Sequence, residues 1–78
     1  MRSYHKTVVK VGGLLEFKIE SWSEHGHMSV YSDDQPLFDG DSCRGYKAIQ
    51  EEIKRICDIA KANNLDAEVI RQQNPVRT

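Results

Sequence analysis

Apolar and polar positions recur with a helical period over residues 46–63. The apolar positions are separated by steps of three and four, which places them on one stripe of an α-helix. They are Tyr46, Ile49, Ile53, Ile56, Cys57 and Ala60. On the opposite, polar face Glu51 precedes Arg55 by one turn, a spacing that favours an ion pair. The pattern predicts an amphipathic helix whose apolar stripe packs on the rest of the protein.

Residues 14–22 alternate apolar and charged positions, which is the period of a β-strand with one buried face. The apolar positions are Leu15, Phe17 and Ile19. Trp22 falls on the parity of the charged residues, so we expect it to be exposed or covered by a loop. Residues 7–11 are rich in β-branched side chains, and Gly12-Gly13 separates the two segments. Diglycine between two strand-like segments predicts a β-hairpin.

The alternation continues over residues 27–31, where Met28 and Val30 share the apolar face. The polar residues that follow predict a turn, and Pro36 excludes a central strand position because proline has no amide hydrogen to donate. Residues 37–38 fit either a short fourth strand or an edge segment. Together these segments predict an antiparallel meander.

Capping residues set the limits of the helix. Asp41 or Ser42 is the candidate N-cap, since either side chain can accept from an unpaired amide of the first turn. Asn63 and Asn64 predict the end of the helix, because asparagine tolerates the left-handed conformation found there. Residues 65–70 fit a last strand or a short second helix, and we favour the strand.

The predicted fold class is therefore α+β: an antiparallel meander of three to four strands packed on one amphipathic helix as a two-layer sandwich, with a short C-terminal strand. We expect one domain over residues 1–78, with flexible ends at about 1–5 and 72–78. Eleven basic and twelve acidic residues nearly cancel, so the net charge favours neither nucleic acid nor an anionic membrane as partner. The chain contains no apolar run of the roughly 18 residues needed to cross a bilayer. We expect a cytoplasmic protein.

The residue types that usually carry chemistry are few and scattered. Cys43 and Cys57 would lie about 20 Å apart along one helix, beyond disulfide reach. His25 and His27 form a pair that binds metal only with further ligands, and no recognised spacing supplies them. No catalytic motif surrounds either cysteine. We predict no metal, no cofactor, no catalytic residues and no enzymatic activity.

A long acidic region is the one departure from balanced charge. No lysine or arginine occurs between Lys18 and Arg44, a span with six carboxylates. Turn and capping chemistry explains each acid individually, but a continuous acidic strip would also attract a protein partner with a basic surface. The predicted partner-binding residues are Asp33, Asp34, Asp39, Asp41 and Glu24, with Trp22 and Tyr31 as aromatic contacts. Together with Tyr4, these two aromatic residues fit a platform for nucleic-acid bases or for a protein partner.

Two resemblances bear on function. The meander followed by a helix that opens with Arg44 and Lys47 resembles the second half of a double-stranded-RNA-binding domain. That resemblance implies an alternative function, nucleic-acid binding through the exposed helix face, whose cations are Lys47, Lys54, Arg55 and Lys61. In size, charge and absence of catalytic motifs the chain also resembles small phage-encoded inhibitors of the anti-CRISPR type. This second resemblance implies a non-enzymatic inhibitor of a macromolecular partner.

Overall fold

The computed structural model describes residues 3–73 and has five strands and one helix. In chain order they are β1 (Ser3–Val11), β2 (Leu15–Glu24), β3 (His27–Ser32), β4 (Gln35–Asp41), α1 (Ser42–Ala62) and β5 (Ala67–Gln73). The strands form one antiparallel sheet in the order β4-β3-β2-β1-β5, and α1 packs on one face. The predicted α+β fold class is confirmed.

The core lies between the helix stripe and the apolar face of the sheet. Val9, Ile19, Met28 and Val30 are at most 2 % exposed, and each lies on the sheet face toward α1. Ile53, Ile56 and Ala60 meet them from the helix, with Ile49 and Cys57 partly buried beside them. The two hydrophobic periods of the sequence thus meet in one core, as predicted.

Two residues predicted for the core lie at its rim instead. Leu15 is 54 % exposed because β2 pairs with β3 only from Ile19 onward, so the start of β2 has a neighbouring strand on one side alone. Tyr46 is 51 % exposed. It lies beside Arg71 of the edge strand β5, so the sheet covers only part of its ring.

The sheet extends further toward both ends of the chain than predicted. Residues 3–5 belong to β1 and pair with residues 21–23 of β2, where Tyr4 lies opposite Trp22. Backbone pairing and this aromatic contact hold the segment in the sheet, although its polar composition does not predict a strand. At the other end β5 includes residues 72–73, and the remainder of the predicted flexible ends lies outside the described residues.

The predicted turns and caps occur where expected. Gly12 and Gly13 adopt φ of 62° and 73° between β1 and β2, the positive values that a tight hairpin requires. Asp41 is the N-cap of α1 and its side chain accepts from the backbone N–H of Arg44. Asn64 follows the helix with φ of 57°, and the segment after it forms β5 rather than a second helix.

Candidate functional site

The sheet has a second face, opposite α1, which we call the outer face. Alternation along the strands places Tyr4 of β1, Trp22 of β2 and Tyr31 of β3 there. The ring centroids of Tyr4 and Trp22 are 5.0 Å apart with tilted planes, and those of Trp22 and Tyr31 are 5.6 Å apart edge to face. These three residues form an aromatic cluster with the geometry that ring quadrupoles favour.

Trp22 is half-buried within this cluster. The alternating pattern of β2 predicts that the Trp22 side chain is either exposed or covered by a loop. The structure instead packs the indole between aromatic rings of the two neighbouring strands. The predicted contacts Trp22 and Tyr31 are therefore brought together, and Tyr4 completes the cluster.

Carboxylates surround the aromatic cluster on the same face. Glu20 accepts a hydrogen bond from the Tyr4 hydroxyl at 2.5 Å. Asp39 accepts from the Ser29 hydroxyl at 3.2 Å, and one of its oxygens lies 2.5 Å from Nε2 of His27. Glu24, at the end of β2, lies opposite His27. The surface next to Trp22 is a depression of about 220 Å³ lined by Ser23, Glu24, His25, His27 and Ser29.

Asp33 and Asp34 lie in the turn between β3 and β4, at the other end of β3 from Glu24. Their φ values of 48° and 67° place both in the left-handed region, which aspartate tolerates. Asp33 accepts from the backbone N–H of Lys18 at 2.9 Å, and Asp34 lies 3.6 Å from the Lys18 ammonium. Glu24, opposite His27, lies the length of β3 away from them, roughly 17 Å at 3.3 Å per residue, whereas Asp39 lies opposite Ser29 and Glu20 opposite Tyr31, in between. The acidic residues are therefore spread along β3 and not gathered at one point.

Asp41 has a clear structural role at the start of α1. Its carboxylate accepts from the Arg44 backbone N–H at 2.9 Å and from the Arg44 guanidinium at 2.8 Å. The backbone hydrogen bond and then the guanidinium hold the pKa of Asp41 below its ordinary value. Asp41 pairs in register with His27, so its end of β4 borders the outer face.

Glu52 is a buried acid that the sequence analysis did not single out. Its side chain accepts from the Ser32 hydroxyl at 2.7 Å and from Arg55 through two bonds of 2.8 Å. The spacing predicts Glu51 as the ion-pair partner of Arg55, and this prediction is wrong: the guanidinium pairs with the buried carboxylate of Glu52, one turn away on the same helix. The hydrogen bonds from Arg55, followed by that from Ser32, lower the pKa of Glu52 although burial opposes them.

Replacing Glu52 by glutamine tests this assignment through the pH dependence of the free energy of unfolding. A group whose pKa is lower in the folded state stabilises the fold above its unfolded pKa, and this contribution is lost as pH falls through the folded value. We expect Glu52→Gln to cost about 1 kcal/mol at pH 7. The deficit should shrink as pH falls below about 4.3, the ordinary pKa of glutamate, and through the lowered pKa of the folded state, where the native carboxyl also becomes neutral. Urea melts at several pH values measure it; a deficit that is constant with pH would contradict the assignment.

The remaining reactive groups are dispersed. Cys43 is exposed, Cys57 is half-buried, and both thiols are free. Over residues 3–73, no three histidine, cysteine, aspartate or glutamate side chains converge as a metal site would require. In the same part of the chain, no helix is both long enough and apolar enough to cross a bilayer.

Comparison of the chain with protein-family models, with curated proteins and with solved structures finds no match.

Proposed function

We propose that this chain is a non-enzymatic binding protein that uses the aromatic and acidic part of its outer face to bind a protein partner with a basic surface. The observation that carries the proposal is the placement of Trp22 and Tyr31 beside Glu24 and Asp39, on three adjacent strands. A cytoplasmic location is part of the proposal, and the free thiols of Cys43 and Cys57 suit a reducing compartment.

Arginine and lysine side chains match this surface chemically. Their alkyl parts pack on aromatic rings, their charges are attracted to ring faces, and the surrounding carboxylates supply ion pairs. Exposed carboxylates such as Glu24 and Asp39 steer association more than they add affinity, because water and salt screen them. The aromatic cluster would therefore supply most of the binding free energy, and the carboxylates would select for a basic partner.

The alternative, nucleic-acid binding through the exposed face of α1, has less support. Lys54 lies 2.8 Å from Asp58, and Arg55 pairs with Glu52. Two of the four predicted cations are therefore neutralised within the helix, leaving Lys47 and Lys61 on that face. Inhibition of a partner, and membership among phage inhibitors of the anti-CRISPR type, stay predictions from the architecture.

Charge reversal on the outer face is the test of the proposed function. The chain has a single tryptophan, so Trp22 fluorescence reports binding of a short oligo-arginine peptide at the site itself. We expect the double variant Glu24→Lys, Asp39→Lys to bind the peptide about tenfold more weakly at low salt, with a smaller difference at about 0.3 M salt.

A matched control distinguishes the effect of these two positions on peptide binding from the effect of the change in net charge. The pair Glu51→Lys, Asp66→Lys makes the same charge change at exposed positions of α1 and the loop before β5. The control should bind nearly as well as the unmodified chain. Equal weakening in both double variants would reduce the effect to net charge and contradict the proposal. Salt-dependent retention on a polynucleotide column, lost on changing Lys47 and Lys61, would favour the alternative.

A further inference from the structure

Exposed apolar side chains concentrate at the end of the molecule that holds the β1–β2 turn and the end of α1. Leu14 at the tip of the turn is 92 % exposed, Ile59 is 51 % exposed and Leu65 is 43 % exposed. Leu15 lies next to Leu14 and is half-exposed as well. We call Leu14, Leu15, Ile59 and Leu65 the apolar end.

A groove of about 280 Å³ opens between these residues. It is lined by Leu15 and Phe17 of β2, by Ile59 of α1 and by Leu65, with Arg55 and Asn63 as its polar lining residues. The groove exists because this part of β2 extends past the end of β3, so no strand covers its free side. Most of the lining surface is apolar, and Leu14, the chain neighbour of Leu15, is exposed at the tip of the turn.

The apolar end is held in place by backbone hydrogen bonds. The N–H of Gly12 donates to the carbonyl of Asp66 at 2.8 Å, and the N–H of Leu65 donates to the carbonyl of Ala60 at 2.8 Å. Leu65 also packs so closely on Gly12 that a Cβ at this glycine would lie 3.2 Å from a Leu65 methyl. The turn, the helix end and the loop before β5 therefore form one preorganised surface, which lowers the entropy cost of association.

We infer that the apolar end is a homodimer interface, in which Leu14 of each subunit inserts into the groove of the other. A two-fold axis pairs one surface with itself, so an exposed side chain and the groove that receives it must occur on the same subunit surface, and Leu14 directly precedes the groove residue Leu15. Lys10 and Glu16 flank the turn and pair with each other at 3.9 Å, and Arg55, which lines the groove, pairs with Glu52. These two ion pairs leave no unbalanced charge among the four residues to repel a second copy.

The exposed area supports a second copy as the occupant. The four residues of the apolar end, which are 43–92 % exposed, present roughly 400 Å² of surface, about the size of the largest apolar patch on a typical monomer, which is often functional. Homodimer interfaces are about 65 % apolar. The corresponding interface is about 600 Å² on each subunit, at the lower end of the range for stable complexes.

Sedimentation equilibrium of the full chain tests the inference. We expect the mass to rise with concentration to twice the 9.0 kDa of one chain. Because a two-fold axis makes each substitution count twice, Leu14→Ser should weaken the dimer roughly a hundredfold. Leu37→Ser is the matched control: Leu37 is 40 % exposed but lies on β4, away from the apolar end, and its substitution should leave the mass unchanged.

Complementation makes the test specific to an inserted side chain. Leu14→Ser keeps an intact groove, and Ile59→Lys keeps an intact Leu14, so a mixture of the two variants restores one of the two insertions. We expect the mixture to dimerise more strongly than either variant alone. A chain that stays monomeric at all concentrations, or a dimer equally sensitive to Leu37→Ser, would overturn the inference. Thermal melts verify that each variant is folded.

Discussion

Replacing Ile53 by alanine is expected to lower the free energy of unfolding by about 2–5 kcal/mol. Ile53 is 7 % exposed and lies in the centre of the helix stripe, against the apolar face of the sheet. The substitution removes buried methyl groups and leaves a cavity that a core between one sheet and one helix can close only in part. A domain of this size has about 4–12 kcal/mol of stability in total, so the loss is a large share of it.

Urea unfolding followed by circular dichroism measures the effect of Ile53→Ala. Lys54→Ala is the neighbouring control: its ammonium lies 2.8 Å from Asp58, but both side chains are well exposed. We expect that control to cost less than about 0.5 kcal/mol. If the two variants were equally stable, the apolar stripe would not be the contact between helix and sheet.

The fold was predictable from the sequence because the period of two in the strands and the period of 3.6 in the helix are unusually clear. Alternation placed Ile19, Met28 and Val30 on one face, and the helical period placed Ile53 and Ile56 on one stripe. A buried core forms wherever two such faces meet, so little long-range information was needed. The rim was harder to predict, because the exposure of Leu15 depends on where β3 ends beside β2, which periodicity does not encode.

The candidate site was predictable only in part. Parity placed Trp22 with the charged residues of β2, but its contact with Tyr4 depends on the register of β1 against β2. The acidic region is continuous in sequence, yet the β3–β4 hairpin places Asp33 in the turn at the end of β3 and Asp39 opposite Ser29, in the middle of that strand. Glu52 was missed because its burial depends on Ser32, twenty residues away on another element. Composition carries no information about such pairings.

Gly45 of α1 should be the position where a good helix former destabilises the protein. At an exposed helix position alanine is more favourable than glycine by about 1 kcal/mol. Gly45 is buried, and a Cβ there would overlap the sulfur of Met28 and lie 2.9 Å from its Cγ. Met28 is fully buried under the helix, so its side chain has little room to move away. We expect Gly45→Ala to cost about 1–3 kcal/mol through overpacking.

A double-mutant cycle with Met28→Ala isolates this contact. Met28→Ala alone should be destabilising because it opens a cavity under α1, but it also removes the sulfur and Cγ that a side chain at position 45 would meet and leaves only the Cβ of residue 28, at 3.0 Å. In that background Gly45→Ala should cost much less or be neutral, since the gain in helix propensity remains and most of the overlap is gone. Urea melts of the four proteins in one stabilising buffer give the coupling energy. If Gly45→Ala had the same cost in both backgrounds, the close approach of α1 to β3 would not be its cause.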